Sequence, residues 1–457
     1  MLVALIAAAS ASPLDRIDWA AAGEEATRTL SAYLRVDTTN PPGNEEAAAD
    51  FLGEFLAREG IASEKVVHAP GRASLIARLD GDDAEKPLCL MHHSDVAGAE
   101  PDRWPADRGP LSGFVDADGT IWGRGALDMK GLGVVELLTV AWLKRLAVPL
   151  RRDVVFLAVA DEEVASTGML ALAAQWDRIG CSHVLNEGGL GVKDLLFPGQ
   201  TVYGISVAEK GTLWARMVAE GAAGHGSRPD PDYAPMRLAR ALDRLAAYDP
   251  EPRVHGSLVQ LFRNVSDTRR GLVRYALRHP RMLFGRLMAL PSGRALLTDT
   301  ITVTGYGGGT EPNVAPTEAW ATLDCRLLPG TTPEQMLATL RALVPEPWIR
   351  FDVIDQSLAR ESPVDDPFYR ALAARVVEGK PHAVAGPAIS PGFSDSNILR
   401  PLGVRAYGLA PFEVTIEEAE TMHGHGERIS SDDLRDGLRV VLAAVLDVTT
   451  TTSPPAR

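Results

Sequence analysis

Apolar residues recur at helical spacing from Trp19 to Glu59, broken by Asp37-Thr38-Thr39-Asn40-Pro41-Pro42-Gly43-Asn44, a run of turn formers that predicts a loop between two helices. Strand and helix signals then alternate. Residues 74–79 and 88–91 have the pattern of short strands, 130–146 that of a helix with Leu132, Val135, Leu138 and Leu143 on one side, and 153–160 that of a nearly unbroken apolar strand. Strands apolar at every position are buried on both faces, which predicts an α/β domain with a mostly parallel sheet.

After Glu187 the pattern changes. Residues 201–207 and 212–220 predict strands, 235–247 a helix, 301–304 and 319–327 two more strands, and 333–343 another helix. This order suggests a small α+β domain with an antiparallel, ferredoxin-like sheet. Residues 256–297 interrupt it as a helical insertion rich in Arg and Leu. A strand near 404–408 and a helix over 431–446 would return the chain to the first sheet. The expected organisation is an α/β domain from residues 13–205 and 357–457, split by a second domain at 206–356. No internal repeat or low-complexity segment is present.

Composition narrows the class. At 457 residues, 46% hydrophobic and 23% charged, the chain is a globular protein too long for one ordinary core. A net charge of −14 argues against a nucleic-acid partner, which needs Lys and Arg to displace counterions. Cys89, Cys181 and Cys325 have no partner at CxxC spacing, and they imply neither a thiolate zinc site nor a disulfide framework. Cys89 and Cys325 lie in apolar runs, as small buried hydrophobes do. The opening MLVALIAAASASPLD has an apolar run ending in small residues, without a basic start. It reads equally as a truncated secretory signal or as the frayed start of a helix, so the expected compartment is cytoplasmic, or periplasmic or secreted if the run is a signal. No stretch approaches the roughly 20 apolar residues of a membrane span.

Five motifs bear on chemistry. His93-Ser94-Asp95 follows the strand at 88–91, where open α/β sheets place ligands, and an aspartate two residues on can orient an imidazole; His92 is a competing candidate. Gly123-Arg124-Gly125-Ala126-Leu127-Asp128 ends where a helix begins, so Asp128 suits either an N-cap or a bound group. Asp161-Glu162-Glu163 sets three mutually repelling carboxylates at the end of a buried strand, as a solvated loop or a divalent-cation site. Glu187 is another acid at a strand end, followed by Gly188-Gly189, and Met422-His423-Gly424-His425-Gly426-Glu427 precedes the last helix. His, Asp, Glu, Glu and His make a mixed nitrogen and oxygen set, one donor too many for a single tetrahedral ion.

With these motifs in this order, from Asp37-Thr38-Thr39-Asn40-Pro41-Pro42-Gly43 to the final helix, the chain resembles the co-catalytic zinc peptidase family of glutamate carboxypeptidase, aminoacylase, succinyl-diaminopimelate desuccinylase and carnosinase. The resemblance implies two divalent ions, zinc before cobalt or manganese. Asp128 would bridge them, Glu163 and His423 would complete one site, and His93 and Glu187 the other. Asp95 would clamp His93, and Glu162 would be the general base. The family tends to have a cis peptide at the position of Asp128-Met129. Gly224-His225-Gly226-Ser227-Arg228-Pro229 resembles the lid motif whose histidine reaches a partner subunit's site, implying a homodimer through the 206–356 domain. Asn313 would polarise the substrate carbonyl, Arg326 would hold a substrate carboxylate, and Gly392-Phe393-Ser394-Asp395 resembles a substrate-contacting loop through Gly392 and Ser394.

The sequence departs from the family pattern in two places. Val96-Ala97-Gly98 stands where a proline is usual, and the 256–297 insertion is large. Both bear on pocket shape. The implied activity is hydrolysis of an amide or peptide bond beside a free carboxylate, by a carboxypeptidase, a dipeptidase or an N-acyl amino acid deacylase acting on a small-molecule substrate. The competing readings are a non-catalytic binding protein of the same fold and a di-metal phosphoesterase.

Overall fold

The computed structural model describes residues 12–450. Residues 1–11 of the N-terminal apolar run lie outside them. The chain forms two compact units, one from residues up to 206, 362–386 and 394 onward, the other from 207–361 and 387–393. The short segment 387–393 thus groups with the second unit rather than with the C-terminal α/β part in which the sequence places it.

The first unit is built on a mixed sheet. Its strands run in the order Ser63–Ala69, Arg72–Leu79, Val154–Val159, Leu88–His93, His183–Asn186, Arg405–Gly408, Thr201–Glu209, Gly191–Lys193, Glu413–Val414. The four central strands, Val154–Val159 to Arg405–Gly408, are mutually parallel. Antiparallel pairs flank them on both sides. The expectation of a mostly parallel sheet is therefore corrected to a parallel centre with antiparallel wings. Both arrangements bury a strand on two faces and leave the same apolar run, so strand direction has no signature in hydrophobicity.

Helices Trp19–Leu34, Lys130–Arg145 and Pro367–Val376 pack against the last helix, Ser431–Thr449. Lys130–Arg145 starts two residues after Asp128 and lies on the strand Leu88–His93. Gly133 makes that approach possible, because a Cβ there would stand 2.4 Å from the His92 ring. His92 is accordingly turned away from the other candidate ligands, its Nε2 3.3 Å from the Tyr33 hydroxyl and its Nδ1 3.4 Å from Glu136.

Cys89 and Cys181 form a disulfide, Cα atoms 5.8 Å apart and 92 residues apart in sequence. This corrects the absence of cross-links expected from spacing. Cys89 pairs in register with Val184, and Cys181 lies in the loop that leads into that neighbouring strand. Cys325 is free and buried.

In the second unit the sheet order is Thr300–Gly308, Glu318–Leu327, Gly211–Glu220, Ile349–Ser357, every pair antiparallel. With helices Ala234–Ala246 and Pro333–Leu343 this is the βαββαβ arrangement of ferredoxin-like folds. Along Glu318–Leu327 burial alternates residue by residue, and the inward side chains join Leu213, Met217, Leu238 and Leu340 in one core. Between the first helix and the next strand, residues 256–297 fold into short helices.

Candidate metal centre

Val154–Val159, Leu88–His93 and His183–Asn186 are parallel neighbours, so their carboxyl ends open on the same edge of the sheet. His93 ends one strand, Asp161-Glu162-Glu163 follows the second, and Glu187 follows the third. Adjacent strands thus gather residues 94 positions apart in the chain. Side-chain donor atoms of His93, Glu162 and Glu187 lie within 4.8 Å of one another, as do those of His93, Asp128 and Glu163.

The buried His93 ring is oriented through its inner nitrogen. Nδ1 donates to the Asp95 carbonyl oxygen at 3.0 Å, and since a carbonyl can only accept, Nε2 is left as the lone-pair nitrogen of the neutral ring. Nε2 stands 3.2 Å from Asp128 Oδ1 and 3.9 Å from Glu187 Oε1. The other oxygen of Asp128 faces a second histidine, with His423 Nε2 3.1 Å from Oδ2 and 3.1 Å from Glu163 Oε2. Asp128 therefore presents one oxygen to each of two imidazoles. The Asp128-Met129 peptide is cis.

Asp95 holds more than the histidine. Its carboxylate is 3.6 Å from His93 Nδ1 but accepts the backbone amides of Glu162 and Glu163 at 3.1 Å each, and the Asn40 amide at 2.8 Å. Asn40 also donates to Asp161, which Arg72 and Thr167 bind as well. These bonds hold Asp161 at φ +70°, a left-handed conformation that costs about 1–3 kcal/mol for a residue with a side chain. Glu163 is fixed at both oxygens, by the Ala97 amide and by His423. The Glu162 carboxylate accepts no hydrogen bond among the described residues.

Glu427 is a contributor that sequence reasoning left unassigned. Fully buried, its Oε1 accepts the backbone amides of Gly125, Leu127 and Asp128 at 2.8–3.1 Å, and its Oε2 takes Arg124 Nη1 at 2.8 Å. Arg124 in turn donates to the Gly424 carbonyl at 2.7 Å. One buried ion pair thus ties the loop of Asp128 to the loop of His423. The only signal was an acid four residues after a histidine. Asp395 is a second unassigned residue, buried at 2% exposure with Oδ1 partnerless among the described residues.

The electrostatics favour a cation. Burial first, and then neighbouring acids, push the Glu162 and Glu187 carboxyls well above the ordinary range, and burial raises Asp395 to about 7. Hydrogen bonds to Asp128 and Glu163 lift His423 to about 10. Burial works against the charged form of His93, but hydrogen bonds to Asp128 and Asp95 outweigh it and raise that ring too. Donor atoms 2.0–2.1 Å from a tetrahedral ion stand about 3.3 Å apart, close to the 3.1 and 3.2 Å separations between the histidine nitrogens and the Asp128 oxygens. The donor set and its spacing fit divalent ions.

In the second unit, the two-residue strand Gly224–His225 pairs with Val314–Ala315, which brings His225 beside Asn313, and the Gly226 amide donates to the Asn313 carbonyl at 2.8 Å. Tyr233 packs on Gly224, where a Cβ would meet its hydroxyl at 2.0 Å. The Ser227 amide donates to His225 Nδ1, which makes Nε2 the protonated nitrogen of the exposed neutral ring. Arg326, expected to hold a substrate carboxylate, is already engaged. Its Nε and Nη2 form a two-point pair with Asp324 at 2.8 and 3.1 Å, and Nη1 has no hydrogen-bond partner among the described residues. Gly392 is exposed in the second unit, whereas Ser394 is buried in the first.

The sequence profile of peptidase family M20/M25/M40 matches residues 89–447. Mouse (Mus musculus) aminoacylase-1 is 24% identical over 428 residues, covering 90% of this chain and 94% of that protein. The human (Homo sapiens) N-fatty-acyl-amino acid synthase/hydrolase PM20D1 is 28% identical over 388 residues, covering 82% of this chain and 76% of its own. Among solved structures, the M20 family metallo-carboxypeptidase Sso-CP2 of Sulfolobus solfataricus superposes with a TM-score of 0.69 at 19% identity, over 93% of this chain and 99% of that one. Human carnosine dipeptidase 1 does so at 0.63 and 17% identity, over 94% and 97%.

Proposed function

The chain belongs to peptidase family M20/M25/M40 and is a metal-dependent hydrolase of amide bonds; from that premise we propose that it holds two divalent ions, zinc first, and removes the acyl group from an N-acyl amino acid. The observation that carries the two-ion reading is Asp128, with one oxygen toward His93 and the other toward His423. Asp128 would lie between the two ions, with Glu163 and His423 holding one and His93 and Glu187 the other. Ions held there supply positive charge that acidifies water and stabilises developing negative charge.

Glu162 is the general base. Its carboxylate has no hydrogen-bond partner among the described residues to compete with water, and burial raises its proton affinity toward that of a working acid-base group. It takes a proton from the water that attacks the carbonyl carbon and returns it to the leaving nitrogen. His225, through Nε2–H, and the Asn313 amide donate to the developing oxyanion. Arg326 offers Nη1 to the substrate carboxylate as a single contact, since Asp324 occupies its fork. Gly392 and Ser394 belong to the loop that shapes the pocket. The N-acyl amino acid reading rests on the names of the relatives matched in sequence; peptide hydrolysis, as a dipeptidase or carboxypeptidase, is the second reading.

Purified protein loaded with zinc, cobalt or manganese and assayed on N-acyl amino acids, dipeptides and phosphate esters tests both. Two ions per chain and turnover of amides are expected. One ion at saturation that survives Asp128→Ala refutes the bridge, and turnover of phosphate esters alone refutes the reaction class.

We also propose that His225 serves a partner subunit in a homodimer joined through the second unit. Mixed dimers of His225→Ala and Glu162→Gln chains, each strongly impaired alone, then regain activity in one composite site. Subunit exchange without rescue defeats the shared site. The Cys89–Cys181 disulfide supports residence in an oxidising compartment, periplasmic or extracellular. Protein from its native source, unfolded without reductant, then titrates as one thiol, Cys325; three thiols would place it in a reducing one.

A further inference from the structure

Residues 256–297 carry eight arginines against one aspartate, a net +7 inside a chain of net charge −14. The same segment exposes large apolar side chains: Leu272 at 87%, Met282 at 63%, Leu290 at 55%, Tyr275 at 53% and Val273 at 43%. Neither feature is explained by the fold. On helix Gly271–Arg278 the buried Leu277 faces the rest of the insertion, while Leu272 and Tyr275, three residues apart, share an outward stripe. Arg274 and Arg278 lie toward one side of it and share Asp267. Arg263, Arg270, Arg281 and Arg286 form no ion pair among the described residues. The insertion therefore keeps unneutralised guanidinium groups next to apolar side chains that gain nothing from water.

We propose that this insertion docks the protein on an anionic lipid bilayer, with Leu272, Tyr275 and Met282 entering the headgroup boundary and Arg270, Arg281 and Arg286 facing lipid phosphates. Helices that lie in a membrane surface combine these two elements, an apolar face and cationic side chains beside it. Charge selects this occupant over a second copy of the same face, because two +7 surfaces repel. The exposed aliphatic residues select it over nucleic acid, whose binding surfaces rely on phosphate contacts, base-edge hydrogen bonds and aromatic stacking. No helix among the described residues is long and apolar enough to cross a membrane, so the contact is peripheral.

Sedimentation of the full chain with phosphatidylcholine vesicles, and with vesicles half phosphatidylglycerol, tests the proposal. Binding to the anionic vesicles only, weakened by salt, is expected. Each arginine near such a surface is worth about fivefold in partition, so Arg270→Glu/Arg281→Glu/Arg286→Glu should reduce it by well over about tenfold. Leu272→Ser, at the most exposed position, should weaken binding at low salt without moving the thermal unfolding midpoint, which keeps the test open if the triple variant folds poorly. The proposal fails if both vesicle types bind equally, if neither binds, or if Leu272→Ser partitions as the parent does. It also fails if duplex DNA is bound as tightly as the anionic vesicles, or if Leu272→Ser instead abolishes a concentration-dependent self-association.

Discussion

Around Asp128, the candidate ligand side chains are fixed by buried or half-buried groups: His93 by the Asp95 carbonyl, Glu163 by the Ala97 amide, and the Asp128 backbone by Glu427. Around His225, an exposed imidazole rests on Ser227 and a two-residue pairing with Val314–Ala315. The first arrangement suits groups that must hold a dense cluster of carboxylates in one geometry against their own repulsion. The second suits a donor needed only while substrate is present. Rigidity is concentrated where like charges converge, and a lighter scaffold serves where a single neutral group must arrive.

Substitutions should expose this contrast in descending order of effect. Glu162→Gln removes an acid that accepts no hydrogen bond among the described residues, and kcat should fall by about 10²–10⁴-fold with both ions retained; loss of metal instead would exchange the roles of Glu162 and Glu163. Next comes Glu427→Ala, which strands the buried Arg124. It should cost about 3–5 kcal/mol in denaturant unfolding and weaken metal retention, although Glu427 touches no ion. An unfolding curve within experimental error of the parent would show that the two loops stand independently.

His225→Ala should lower kcat by about 10²-fold, the usual cost of one oxyanion donor, and leave the unfolding midpoint in place. A midpoint several degrees lower would reveal a structural residue. Smallest is Ser227→Ala, which removes one hydrogen bond to the His225 ring and should cost about fivefold in kcat. A loss as large as that of His225→Ala would mean that the exposed hairpin is as tightly determined as the buried site.

His93, the Asp161-Glu162-Glu163 triplet and Glu187 were readable as candidates because each stands at the end of an apolar strand, where hydrophobicity stops and polar chemistry begins, whereas Asp128 and His423 stand before helices and stood out only as part of the family's motif order. The βαββαβ order was readable for a similar reason, since alternation marks one-faced strands such as Glu318–Leu327. Strand direction was not: Arg72–Leu79 and Leu88–His93 are equally apolar, yet one pairs antiparallel and the other parallel with Val154–Val159. The Cys89–Cys181 bond depended on which strands became neighbours. Glu427 and Asn40 act on backbone amides and on other carboxylates, contacts that leave no spacing rule in the chain. The pairing of Arg326 with Asp324, two residues away on the same strand face, went unread because a short-range ion pair has the same sequence signature as an arginine left open for substrate. Ile349–Ser357 went unread as a strand because its residues Asp352 to Gln356 are all exposed, which removes the apolar alternation.

The solitary state of Glu162 has a practical use. Since its carboxylate accepts no hydrogen bond among the described residues, replacing one oxygen by an amide nitrogen leaves the contacts of Asp95, Glu163, Asp128 and His423 as they are. The Glu162→Gln protein would then still capture what the parent consumes and release it unchanged. Incubated with an extract of small molecules, washed, and eluted into a mass spectrometer, it becomes bait for its own natural substrate.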